Sequence, residues 1–109
     1  MTDTLREAQK QFFDVHSLLN SNTHQDNTYF TNLSIATEEA YVVMNEGMCA
    51  SNSVCQECAE HRDFIRTMLE VLGSLEIDHT QVDGYRDKLA EYTDRVNKIL
   101  HNISKALTA

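Results

Sequence analysis

An all-α fold, an antiparallel four-helix bundle with a long heptad-patterned C-terminal helix, is what this sequence predicts, and three observations predict it. Val82, Tyr85, Leu89, Tyr92, Val96, Ile99 and Ile103 recur at alternating steps of three and four. That spacing lines one stripe of a helix with apolar side chains, and the stripe must be covered by other helices. Proline is absent and glycine occurs only at Gly47, Gly73 and Gly84. Both residues punctuate the turns of β-rich folds, so their scarcity favours few, long helices. A chain of 109 residues makes one domain, large enough to hold a modest core without disulfides or metal.

The first helix is expected over about residues 4–19. Thr4 and Glu7 have the form of a capping box, and Leu5, Ala8, Phe12, Val15 and Leu19 repeat the three–four spacing. The polar run from Asn20 to Asn27 reads as a loop, because Asn, Asp and Ser side chains bond locally to the backbone in competition with helix continuation. A second helix is expected over 28–46, with Phe30, Leu33, Ala40 and Met44 as its stripe and Gly47 just past its end. The third is expected over 53–72. Ser53 and Gln56 form its capping pair, Cys58, Ile65, Met68 and Leu72 its inner row, and Gly73 its stop. The fourth is expected over 78–107, with Asp78 as N-cap, Gln81 as its capping partner, and Ile77 and Val82 as a hydrophobic staple. Glu91–Arg95 and Asp94–Lys98 have the spacing of ion pairs along its outer side.

This fourth helix is expected to be longer than the other three, and its unmatched length needs cover. A second copy of the chain, or another coiled-coil protein, is the economical answer, and a homo-oligomer is expected. The residues expected to face a partner are Val82, Tyr85, Leu89, Tyr92, Val96 and Ile99 on the seam, with Arg86, Lys88 and Arg95 flanking it as cations for acidic partner positions.

Charge excludes some classes of partner. The chain carries a net charge of −8, and between Lys10 and Arg62 there is no lysine or arginine but seven acids, Asp14, Asp26, Glu38, Glu39, Glu46, Glu57 and Glu60. Phosphate backbones need clustered cations, so nucleic acid is not an expected partner. No run of apolar residues is long enough to span a bilayer, and Met1–Glu7 has no apolar run of the kind a secretory leader carries. Three cysteines do not close a disulfide framework. A reducing cytoplasmic compartment is therefore expected, with no membrane role.

One constellation carries candidate chemistry. Cys55, Cys58 and His61, with Cys49 nearby, supply thiolate and imidazole donors suited to zinc or copper. On a helix Cys58 shares a face with each of the other two, whereas Cys55 and His61 diverge by about 120°. The stretch Val54–His61 resembles the cysteine-rich helices of four-helix copper-storage proteins. Such bundles line several helices with cysteine, which the other three stretches here lack; no ligand is carried over. There is no nucleophile elbow, phosphate-cradling loop or dinucleotide fingerprint. The expected function is non-catalytic: a protein–protein association module, adaptor or chaperone-like subunit with no cofactor. A metal-binding or metal-sensing bundle using Cys55, Cys58 and His61 is the alternative, and an acidic inhibitor of a basic partner is a third reading.

Overall fold

Each of the amphipathic stretches folds as a helix in the computed structural model, which describes residues 2–21, 26–46 and 55–108. Helix α1 is Thr2–Leu19, α2 is Asn27–Glu46, α3 is Cys55–Asp78 and α4 is Tyr85–Thr108, with a 3-10 turn at His79–Gln81 between the last two. The result is an all-α four-helix bundle. Helix α1 packs on α2 and α4, α3 packs on α2, and α3 and α4 touch each other far less than these three pairs do. No helix among the described residues is long and apolar enough to cross a membrane.

The helix ends follow local chemistry. Asp26 is the N-cap of α2: its carboxylate accepts from the Tyr29 backbone N–H at 2.9 Å, satisfying one of the donors a helix start leaves unpaired. The Tyr29 hydroxyl donates to the carbonyl of Leu18 at 2.8 Å, beside the Ser21 N–H at 3.3 Å, and so ties the start of the second helix to the end of the first. Asn20 closes α1 by donating its side-chain amide to His16 O at 2.8 Å. The predicted caps at Gly47 and Ser53 lie outside the described residues.

Two predicted boundaries are corrected. Helix α3 does not stop at Gly73 but continues to Asp78. Leu75 extends the inner row that runs through Ile65, Met68 and Leu72, and all four are buried. Asp78 caps the 3-10 turn, not α4, with its carboxylate accepting from the Thr80 N–H at 3.0 Å and the Thr80 hydroxyl at 2.6 Å. These bonds hold the Asp78 carboxyl below its usual range. The proposed staple is absent, since Ile77 is 82% exposed. Helix α4 starts only after Gly84, whose φ of +69° lies in the left-handed region.

The two described glycines therefore respond oppositely to a methyl group. At Gly73 a Cβ would meet nothing within 4 Å, so Gly73→Ala is expected to stabilise the domain by about 0.5–1 kcal/mol. Gly84→Ala forces an L-residue into the left-handed region and is expected to cost about 1–2 kcal/mol. Shifts of the denaturation midpoint at unchanged slope measure both.

The core draws on all four helices. Phe12 and Val15 come from α1, Phe30, Leu33 and Met44 from α2, Ile65, Leu72 and Leu75 from α3, and Tyr92, Val96, Ile99 and Ile103 from α4, all without exposed surface. Helices α3 and α4 are each 24 residues long. Helix α4 therefore exceeds α1, at 18 residues, and α2, at 20, but not α3. Leu89, Tyr92, Val96 and Ile99, expected to face a partner, are covered within the chain.

Candidate functional site

Helix period decides which flanking side chains of α4 share a side. Lys88 and Arg95 are seven residues apart and fall on one edge, with Glu91 between them; Arg86, two residues before Lys88, is turned about 200° away. The structure bears this out. Lys88, Glu91 and Arg95 line the groove between α3 and α4, whereas Arg86 lines a different groove with Leu19, Leu89, Ala90 and Thr93. The three cations expected to form one flank thus divide between two faces. Val82 and Tyr85 are half-buried. Tyr85 packs edge-on to Phe30 at 5.9 Å and to His79 at 5.8 Å, so it closes the bundle end.

The α3/α4 groove exists because these helices touch little. Its volume is about 490 Å³. Phe64, Met68 and Val71 of α3 contribute apolar surface; Glu60, Asp63 and Thr67 supply a polar wall on α3, and Lys88, Glu91 and Arg95 one on α4. Arg95 bridges the two helices. Its guanidinium carbon stands 4.8 Å from the centroid of the Phe64 ring, within range of cation–π attraction. Its Nη1 lies 3.3 Å from His61 Nδ1. A guanidinium has only donors, so the imidazole nitrogen accepts and the ring proton sits on Nε2.

Arg95 is therefore not the free partner-facing cation expected of it. The predicted Glu91–Arg95 and Asp94–Lys98 pairs do not close either; among the described residues the ion pair is Arg66–Asp63 at 3.9 Å, well exposed on both sides. Exposed pairs are worth about 0–1 kcal/mol, so ring stacking and a hydrogen bond from a partly buried position outweigh them for Arg95.

The expected metal set is only partly visible. His61 is buried in the inner row of α3, beside the Arg95 guanidinium, an unfavourable neighbour for a cation. Cys55 and Cys58 lie on the first turn of α3; their side chains, and all of Cys49, are outside the described residues. Among the described residues no group of three or more His, Cys, Asp or Glu is arranged to hold a metal ion.

Periodicity carried signals that residue type obscured. His61 continues the row of Ile65, Met68, Leu72 and Leu75, and Thr37 fills the missing step between Leu33 and Ala40; both are buried. The Thr37 hydroxyl meets the Tyr92 hydroxyl at 2.9 Å in the core.

Compared with protein-family models, curated proteins and solved structures, the chain matches none.

Proposed function

We propose that the chain is a non-catalytic association module, an adaptor or chaperone-like subunit, that pairs with a second copy of itself through the α3/α4 groove. One observation carries the reading: apolar Phe64, Met68 and Val71 lie between an α3 wall bearing exposed Glu60 and Asp63 and an α4 wall on which Lys88 is the exposed cation, beside Glu91 and the Arg95 engaged by Phe64 and His61. A two-fold arrangement sets Asp63 of each copy against Lys88 of the other, so one surface complements itself. In this reading the helices run up-down-up-down. Helix α4 turns its heptad seam inward and offers its Lys88–Glu91–Arg95 edge outward. The module works in the cytoplasm, on protein rather than nucleic acid or membrane.

The net charge of −8 opposes the approach of two copies at low salt. At physiological ionic strength the Debye length is about 8 Å, so the charges inside the contact decide. Hydrodynamic mass at that salt is expected near twice the 12.5 kDa of one chain. Lys88→Glu is expected to return it to the single-chain value, and adding Asp63→Lys to restore the pair, because the two facing positions then exchange signs. A single-chain mass for the unaltered protein across the accessible concentration range would sink the reading. Both positions are exposed, so the variants leave the core intact.

A further inference from the structure

A second surface, on the opposite side of α3's neighbour α2, has different chemistry. Ile35 and Val42 are seven residues apart, two turns along α2, and expose 52% and 43% of their surface. Glu38 and Glu39 stand between them on the same stripe and are exposed. These four residues, with half-buried Val43 and with Gln11 of α1, line a groove of about 420 Å³. Single exposed aliphatics are ordinary on a protein surface. Here two of them bracket two carboxylates on one helical stripe. The sequence offers no lysine or arginine anywhere between Lys10 and Arg62 to neutralise that stripe, and among the described residues neither Glu38 nor Glu39 is in an ion pair.

Gln11 adds an acceptor. Its Nε2 donates to Glu7 Oε1 at 3.0 Å, which fixes the orientation of the amide, because the reverse would set oxygen against oxygen. The Gln11 Oε1 is then buried without a hydrogen-bond partner. Such an acceptor carries a desolvation cost until a donor reaches it.

We propose that this α1/α2 groove docks a basic amphipathic helix of another protein. Charge complementarity names the occupant. Apolar side chains at helical spacing fill the space between Ile35, Val42 and Val43, and flanking Lys or Arg residues pair with Glu38 and Glu39. A second copy set two-fold on this groove is a poor occupant, since it brings its own exposed Glu38 and Glu39 into the contact and like charges suppress pairing. The inference is independent of the α3/α4 pairing, and either can fail alone.

The test is calorimetric titration of the full chain with a synthetic peptide that places leucines on one helical face and lysines beside them. An isomer of identical composition with that pattern scrambled is the control. The patterned peptide is expected to bind and the isomer to bind roughly tenfold more weakly or not at all. Glu38→Lys with Glu39→Lys, and separately Ile35→Ser with Val42→Ser, are each expected to weaken the patterned peptide roughly tenfold. Glu60→Lys with Asp63→Lys changes net charge equally at the other groove and is expected to leave binding unchanged apart from weak long-range attraction. Equal weakening by the two charge pairs, equal binding of the two peptides, or no binding would each overturn the proposal. All four α1/α2 substitutions lie on exposed positions, and unchanged thermal melting verifies that the fold survives them.

Discussion

Phe30→Ala is expected to remove about 3–5 kcal/mol of folding stability. Phe30 has no exposed surface and stands where α2, the 3-10 turn and α4 meet. Its ring centroid lies 5.2 Å from Tyr29, 5.5 Å from His79 and 5.9 Å from Tyr85. Truncation loses both the transfer free energy of the ring and the contacts that line the resulting cavity, and the three neighbouring rings belong to different elements that cannot close together without moving backbone. A domain of this size has about 5–15 kcal/mol in total, so the variant keeps little reserve. Its melting temperature is expected to fall by at least ~10 °C. Ile77→Ala, at a position 82% exposed, is the matched control and is expected to stay within about 0.5 kcal/mol of the parent. A loss below about 1 kcal/mol for Phe30→Ala would mean that this cluster does not hold the bundle end together.

The Thr37–Tyr92 pair gives the second large effect, and it has a pH signature. Both side chains are fully buried and their hydroxyls are 2.9 Å apart. Thr37→Val leaves the Tyr92 phenol buried with no partner and is expected to cost about 1–3 kcal/mol. Tyr92→Phe is expected to cost less, because a threonine hydroxyl within a helix can turn to the carbonyl four residues back, here that of Leu33. The double variant is expected to lose less than the sum of the two, with a coupling of about 0.5–3 kcal/mol.

Burial pushes the Tyr92 phenol far above its usual pKa, against a smaller opposing effect of the bond with Thr37. The folded chain then keeps a proton that the unfolded chain releases above pH of roughly 10. The unfolded state binds fewer protons there, so stability falls as pH rises. The contribution is fully present below that pH and is lost above it. Tyr29 is raised in the same direction by burial and steepens the loss. Denaturant unfolding followed from neutral to strongly alkaline pH measures this. Tyr92→Phe is expected to flatten the decline, and an unaltered alkaline slope in that variant would contradict the burial of the phenol.

The helical architecture was legible because backbone geometry imposes one period on every helix. The row from Tyr85 to Ile103 and the rows of the other three helices are written in local spacing. The misreadings have particular causes. Glycine ends many helices, so Gly73 reads as a stop, yet a buried Leu75 two residues on rewards continuation by more than the ~1 kcal/mol that glycine costs. Extending α3 by that turn moved the start of α4 to Tyr85 and equalised their lengths. Cover for Leu89, Tyr92, Val96 and Ile99 comes from within the chain. The donor chemistry of His61 suggests a ligand, although its place in the three–four row sets it inside, and Thr37 is buried by its row in the same way.

The grooves were not legible in the same way. Spacing tells which residues share an edge of a helix, and so that Lys88 and Arg95 lie together and Arg86 apart. It does not tell how closely α3 approaches α4, or that Arg95 leaves Glu91, four residues away, for His61 and Phe64 on another helix. Periodicity is a property of one backbone and survives in any surroundings. A groove, or the partner of a long side chain, depends on the distance between two backbones, which is set by the volume of everything packed between them.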